Sequence, residues 1–178
     1  MQPDDILHFW FEEHGSADWF AKSDVFDAEI REKFSEVHRK AATGEIAAWR
    51  MTMRGRLAEI IVLDQFSRNM FRGTPKAFAY DGLALHLAQE AVATGYLDDL
   101  KPAERTFLLM PYMHSESPDV HIESLRLFTS LGNEEALRYE RAHKDIIDRF
   151  GRYPHRNAIL GRTSTLDEEA FLSTHPGF

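Results

Sequence analysis

Residues 53–69 read MRGRLAEIIVLDQFSRN, with a continuous apolar segment in the middle. Successive residues of a helix are turned by about 100°, so the four residues from Ile60 to Leu63 cover its whole circumference. A helix that is apolar on all sides is buried among other elements. The sequence therefore predicts a helix from about Met53 to Asn69 that is buried on most sides.

Helix-start and helix-end signals divide the rest of the chain, and strand signals are nearly absent. Pro3, followed by two acidic residues, opens a first helix that ends before Gly15, and Ser23 caps a second that ends before Gly44. Further starts are predicted at Thr74-Pro75, Pro102, Ser117-Pro118, Asn133 and Thr165, further ends at Gly95, Gly132 and Gly151, a kink or stop at Pro111, and a loop over residues 152–163. Short links predict antiparallel neighbours. We therefore expect a single all-α domain over residues 1–178, with seven to eight helices stacked as hairpins.

The composition is that of a folded domain without thiol chemistry. The chain has 178 residues, 43% of them hydrophobic, which is enough to bury a core without a disulfide or a metal ion. It has no cysteine, so disulfides, thiolate metal sites and cysteine nucleophiles are excluded. The formal charge of −8 argues against broad binding to nucleic acid, which needs clustered positive charge.

Neither a membrane segment nor a cofactor motif is predicted. The longest apolar run is Phe107 to Met110, or to Met113 if Pro111 and Tyr112 are counted, and it is far shorter than the roughly 20 residues that span a bilayer. The chain begins with the acidic sequence MQPDD where a targeting signal would be basic, which favours a cytoplasmic protein. No histidines have metal-ligand spacing on one helix face, and there is no glycine-rich phosphate loop or nucleophile elbow, so we expect no metal and no other cofactor. The run His114-Ser115-Glu116 could supply a ligand or a base, but adjacent side chains diverge on a helix, so the run is interpreted as a loop.

Positive charge is concentrated in two segments of this acidic chain. Residues 51–75 contain four arginines against two acidic residues, and residues 141–163 contain five arginines and one lysine against two acidic residues. Arginine offers a planar set of donors that matches carboxylate and phosphate groups, whereas lysine is the usual surface cation. Two arginine-rich segments in an acidic protein indicate either internal ion pairs or a site for an anion.

Several polar residues fall on the apolar faces of predicted helices. Asp64 and Arg68 lie on the same face of the helix predicted from about Met53 to Asn69, and their i,i+4 spacing brings them close enough to form an ion pair. Asp81 lies on the apolar face of the helix predicted to start at Thr74-Pro75, and His143 lies on that of the helix predicted to start at Asn133. In one interpretation these are satisfied core groups: the two aspartates pair with arginines, and His143 bonds to a carbonyl. In the other, they converge on a ligand cavity.

A second cluster, Tyr153-Pro154-His155-Arg156-Asn157, presents an imidazole, a guanidinium and a carboxamide on successive residues. A loop stiffened by proline in this way suits an anion, and backbone N–H groups at a short helix start would add donors. The alternative is a loop pinned to the body of the protein by salt bridges to Asp64 or Asp81. The dipeptide Arg68-Asn69, with Arg72 beyond it, repeats the Arg-Asn pair of this cluster.

Long motifs of the chain resemble the signature of a bacterial family. They are the run from Asp64 to Gly73 with Asp81 beyond it; the segment from Phe150 to Asn157, continuing through Leu160, Gly161 and Arg162 to Ser164 and Glu168; and the spacing of Phe9-Trp10-Phe11, Trp19-Phe20, Phe26-Asp27, Ile30 and Phe34. By these motifs the chain is identified as a member of the domain-of-unknown-function 924 (DUF924) family over essentially its whole length. The resemblance implies a tetratricopeptide-like, right-handed stack of helical hairpins, and it implies no activity. Ser67 stands where the family is expected to have proline, which leaves the charges of the motif unchanged.

Two functions are consistent with these residues. The first is a binding or scaffold module with an arginine-lined site for a small anionic ligand or an acidic peptide. The second is an enzyme that acts on a phosphorylated or carboxylated small molecule, with a histidine as general acid/base. The predicted ligand-binding residues are Arg68, Asn69, Arg72, Arg156, Asn157, Asp64 and Asp81, and the candidates for catalysis are His155, His143 and Asp64. A third, purely structural possibility is that internal ion pairs use both arginine segments.

Overall fold

The structure, a computed structural model, describes residues 1–175, and no β-strand occurs among them. The prediction of an all-α fold is confirmed. The α-helices are α1 (Pro3–His8), α2 (Ser16–Trp19), α3 (Asp24–Ala42), α4 (Met53–Ile61), α5 (Ser67–Met70), α6 (Asp81–Ala93), α7 (Pro102–Met113), α8 (Pro118–Ser130), α9 (Glu134–Phe150) and α10 (Leu166–Leu172). Two π-helical turns, Phe9–Glu13 and Val62–Phe66, continue the helices that precede them. Within this described part, no helix has the length and apolar character needed to cross a bilayer.

The helix at residues 53–70 is the buried centre of the molecule. Helix α4, the π-helical turn and α5 follow one another without a break. The Thr52 hydroxyl caps the start by accepting from the Gly55 N–H at 3.0 Å. The four residues from Ile60 to Leu63 are 0% exposed. The prediction of a helix buried on most sides is confirmed, because neighbours cover the apolar circumference.

Other helices surround this central one. Helices α1, α6 and α7 pack against α4, and α3 packs against the π-helical turn and α5. Further along the chain, α7, α8 and α9 pack in succession across short links, so they form antiparallel hairpins. Trp10 ties the N-terminal segment to the core, because its ring centre lies 5.6 Å from those of Phe66 and Phe107.

Several predicted helix ends are formed by the residues that predict them. Ser23 and Asn133 each cap the following helix by accepting a backbone N–H. Thr165 and Glu168 form the capping box of α10. Gly151 ends α9 with a φ of 67°, a left-handed conformation that glycine adopts without a steric penalty.

Three details differ from the prediction. The helix predicted to start at Thr74-Pro75 is α6, and it begins at Asp81 because Pro75–Phe78 forms a separate 3-10 turn. Pro111 does not stop α7, which continues to Met113, because a proline in the last turn removes only one donor near the helix end. The short helix α2 has no counterpart in the prediction, since four residues are too few to show a helical period.

Candidate functional site

Four of the predicted ligand-binding residues meet near the C-terminal end of the central helix. Arg68 donates from both terminal nitrogens to the two oxygens of Asp81, at 2.9 and 3.0 Å. Its Nη1 also lies 3.1 Å from Oδ1 of Asp64, one turn earlier, as the i,i+4 spacing predicts. Arg156, from the loop after α9, donates to Oδ2 of Asp81 at 3.1 Å. Two guanidinium groups therefore share one carboxylate.

Asp64 is the buried anchor of this cluster, with 1% of its surface exposed. It lies in the π-helical turn 62–66, and turns of this kind are frequent at functional sites. Its Oδ1 accepts from His114 Nδ1 at 2.8 Å, and its Oδ2 accepts from Gln65 Nε2 at 2.6 Å. Burial raises the pKa of this carboxyl, but the charge of Arg68 and these hydrogen bonds outweigh it and hold the pKa of Asp64 well below its usual range. Asp64 is therefore a carboxylate that only accepts hydrogen bonds.

Arg156 is buried, with 6% of its surface exposed, and its charge is only partly compensated. The guanidinium packs on the rings of Phe78 and Tyr153, 4.6 Å from each ring centre. It donates to Asp81 and to the backbone carbonyl of His114, both at 3.1 Å, while the buried Nε–H has no hydrogen-bond partner. Burial, with the neighbouring guanidinium, lowers the pKa of Arg156 in spite of the aspartate.

A cavity of about 350 Å³ opens beside Arg156. Small-molecule sites occupy roughly 300–1,000 Å³, mostly apolar with a few convergent polar groups. Phe78, Leu85 and Leu160 are among its apolar walls, and its polar walls are Asp81, His114, Ser115, Glu116 and Arg156. No group of three or more histidine or acidic side chains within residues 1–175 is arranged to hold a metal ion. The polar side chains in this lining can make ionic contacts, form hydrogen bonds and transfer protons.

His114 lines this cavity although it is not among the predicted ligand-binding or catalytic residues. The loop expected at His114-Ser115-Glu116 is present between α7 and α8, and all three of its residues line the cavity. His114 bonds to Asp64 across 50 residues of sequence, so no local spacing relates the two. The only available signal is the clustering of three polar residues directly after an apolar helix.

The loop after α9 is held to the body of the protein by ion pairs, of which the pair between Arg156 and Asp81 is one that the salt-bridge interpretation names. Two further pairs involve glutamates that it does not name. Arg162 donates to both oxygens of Glu116, at 2.7 and 3.0 Å. Arg152 donates to both oxygens of Glu168, at 2.6 and 2.7 Å. These contacts fix the position of the loop and thereby hold Arg156 against the cavity.

Asn69 and Arg72 are not brought to the cavity. Both bind Asp27 of α3: Asn69 Nδ2 donates to Oδ1 at 2.8 Å, and Arg72 donates to both oxygens. Burial raises the pKa of Asp27, but these bonds outweigh it and lower the pKa. Asn69 is one residue beyond Arg68 and so faces a different neighbour, and Arg72 lies beyond the end of α5 at Met70.

Asn157, His143 and His155 also lie outside the lining of the cavity. Asn157 is 1% exposed and donates to a serine hydroxyl of its own loop at 3.0 Å. His143 donates from Nδ1 to the Tyr139 carbonyl at 2.8 Å, which is the carbonyl bond that the core interpretation predicts. Burial lowers the pKa of His143 to about 3 and that of the half-buried His155 to about 4.

Comparison with known proteins gives the family. Residues 6–176 match the model of a family described as "Bacterial protein of unknown function (DUF924)". The chain belongs to this family. A solved structure, the protein of unknown function ATU0120 from Agrobacterium tumefaciens, is similar to it with a TM-score of 0.92 and 36% identity over 97% of each chain. No curated protein matches. The DUF924 motifs seen in the sequence supply Asp64, Arg68, Asp81 and Arg156.

Proposed function

We propose that this DUF924 protein is a binding module that holds a small anionic ligand in the cavity beside Arg156. The observation that carries the proposal is that Arg156 is buried, lines the cavity and donates to only one carboxylate, which it shares with Arg68. A buried cation is costly unless an anion and hydrogen bonds compensate it. Arg156 has one hydrogen bond to a carboxylate, and that carboxylate already accepts two from Arg68. An anion in the cavity would supply the missing compensation.

Other arginines of the chain illustrate full compensation. Arg72 and Arg152 each donate from two nitrogens to one carboxylate. Those hydrogen bonds raise the pKa of both guanidinium groups. The pKa of Arg156 shifts in the opposite direction, since burial outweighs its shared contact with Asp81. This contrast distinguishes Arg156 from Arg72 and Arg152, neither of which lines the cavity.

The size of the cavity favours a small ligand over an acidic peptide. At about 350 Å³ it is near the lower end of the range for small-molecule sites, which is roughly 300–1,000 Å³. Arg68 and Arg162 are each bound through two nitrogens to a carboxylate. Among the described residues, Arg156 is the one arginine in the lining of the cavity, so a peptide with several acidic groups would find a single cation there.

The proposal also includes the arrangement of the helices and the location of the protein in the cell. The succession of hairpins through α7, α8 and α9 supports a right-handed, tetratricopeptide-like superhelix. The lack of cysteine is consistent with a cytoplasmic location, where disulfides are rare.

A thermal-shift panel tests the proposal with phosphate, sulfate, dicarboxylates, sugar phosphates, nucleotides and acidic peptides. A ligand at about 100 times its Kd adds about 2.7 kcal/mol to stability, which is visible in the unfolding midpoint. Arg156→Met replaces the aliphatic stem of arginine with an unbranched apolar side chain and removes the charged guanidinium. Arg149→Met is the matched control, because Arg149 is exposed and pairs with Asp167 at the surface.

We expect a small anion to raise the midpoint of the wild type and of Arg149→Met but not that of Arg156→Met. The proposal fails if no small anion raises the midpoint, or if the shift is the same in Arg156→Met. A shift from acidic peptides alone would favour a scaffold instead.

A further inference from the structure

The cavity contains an imidazole whose orientation is fixed by a buried carboxylate. His114 Nδ1 lies 2.8 Å from Oδ1 of Asp64. Because Asp64 only accepts hydrogen bonds, Nδ1 carries the hydrogen and donates it. The lone pair of the neutral ring is then on Nε2. Within residues 1–175 this atom makes no hydrogen bond and is not sealed from solvent, and the open space that His114 lines is the cavity.

The charges around His114 keep the free ring neutral and allow it to take up a proton when an anion arrives. Burial and Arg68 lower the pKa of His114, and Asp64 opposes them. A second anion near the ring would act in the same direction as Asp64. The titratable and charged groups that face the ring are Asp64 and Arg68 from the central helix, Asp81 from α6, His143 from α9 and Arg156 from the loop after α9.

We propose that His114 Nε2 accepts a proton from the ligand, which makes the cavity a general-base site for an anion that carries an ionisable O–H group. This inference rests on the proposed function, because Arg156 places the anionic end of the ligand. The ligand's O–H bond breaks, its electron pair stays on the oxygen, and the proton binds to the lone pair of Nε2.

The structure stabilises both products of this transfer. The imidazolium donates from Nδ1 to Asp64, and the added negative charge on the ligand lies next to Arg156, which is bonded to the carbonyl of His114 itself. Asp64 does not line the cavity, and it is fixed by Gln65 and Arg68. Asp64 is therefore a positioning residue that acts through His114, and His114 is the group that touches the ligand.

Phosphate and sulfate form a matched pair of probes, since they have the same shape but at slightly acidic pH only phosphate carries a proton to give. The ring nitrogens of the full-length protein, labelled with ¹⁵N-histidine, report by NMR which nitrogen holds hydrogen, and His114→Gln identifies the signals of His114. In the free protein we expect hydrogen on Nδ1 and none on Nε2. Saturating phosphate should move the Nε2 signal to its protonated position with no net uptake of protons from a weakly buffered solution, whereas sulfate, which brings no proton, should protonate Nε2 only by taking a proton up from that solution.

Asp64→Asn tests whether the charge of Asp64 acts through His114. The measurement is the protonation of Nε2 when phosphate binds, which would not change if Asp64 had only a structural role. The asparagine oxygen still accepts from Nδ1–H, but the charge that stabilises the imidazolium is gone, so phosphate should bind without protonating Nε2. The wild-type comparison stands even if this variant does not fold. A free His114 with hydrogen on Nε2, or phosphate that binds and leaves Nε2 bare, overturns the inference and leaves the proposed function intact. Failure of both anions to bind overturns both.

Discussion

Asp81→Asn removes the charge that two arginines share. Asp81 accepts three hydrogen bonds, two from Arg68 and one from Arg156. Removing one partner of a buried ion pair costs about 3–5 kcal/mol. The side chain of Asp81 is 16% exposed, and asparagine keeps one acceptor oxygen. We therefore expect the free energy of unfolding to fall by about 3 kcal/mol, which for a chain of this length lowers the thermal midpoint by roughly 6–12 °C.

Urea unfolding followed by far-UV circular dichroism measures this loss, with an unchanged m-value as evidence that the native state is intact. The control is Asp167→Asn, because Asp167 is 61% exposed and pairs with Arg149 at the surface. Such a pair contributes about 0–1 kcal/mol. Sulfate should stabilise Asp81→Asn more than it stabilises the wild type, because the variant leaves Arg68 and Arg156 with less negative charge between them.

The double variant Asp81→Asn/Arg156→Met separates electrostatic coupling from simple loss of contacts. In the double variant, no buried guanidinium at position 156 is left without its counter-charge. The loss in free energy of unfolding should therefore be smaller than the sum of the losses in the two single variants, by about 0.5–3 kcal/mol. The reasoning is refuted if Asp81→Asn costs no more than Asp167→Asn, or if the two single costs add.

Three further predictions concern stability and are read from urea unfolding. Ser67→Ala should cost about 1–3 kcal/mol, because the hydroxyl donates to a backbone carbonyl and accepts from buried His38 Nε2 at 2.8 Å; a neutral result would show that this contact is dispensable. Gly55→Ala should destabilise, since its Cβ would lie 1.9 Å from a backbone oxygen, whereas Gly82→Ala meets open space and should stabilise by about 0.5–1 kcal/mol; equal effects would contradict this. Burial lowers the pKa of His38 to about 4 and of His143 to about 3 from the unfolded 6.5, so the unfolded chain binds more protons between these values. Their stabilisation is therefore complete above pH 6.5 and is lost as pH falls toward 4, and a flat urea midpoint across this window would count against it.

Helix ends are predictable from the sequence where a neighbouring side chain forms the cap. Thr165 caps α10 with a residue three positions away, and Gly151 ends α9 through its own backbone freedom. The start of α6 is not predictable in this way. A proline in the first turn favours a 3-10 turn as well as an α-helix, and the contacts that Asp81 makes with two distant arginines are not visible locally.

The candidate site is predictable to the extent that it lies on one helix or in one charged segment. Asp64 and Arg68 share a helical face, and the arginine-rich composition of residues 141–163 indicates that its arginines form internal ion pairs or bind an anion. His114 is different, because its partner Asp64 lies 50 residues earlier and only the packing of α7 against α4 brings the two together. The tertiary fold also separates Arg72 from Arg68, although both belong to one motif.

The most direct test of an anion site is the Nε–H signal of Arg156 in the NMR spectrum of the ¹⁵N-arginine-labelled protein during a titration with sulfate. This hydrogen is buried, has no partner and belongs to a residue that lines the cavity. We predict a saturable shift of the Arg156 signal, with the exposed Arg149 signal showing only the weak, non-saturating change of a screened surface charge. An Arg156 signal that stays in place, or that moves only in proportion to salt as Arg149 does, would contradict the account.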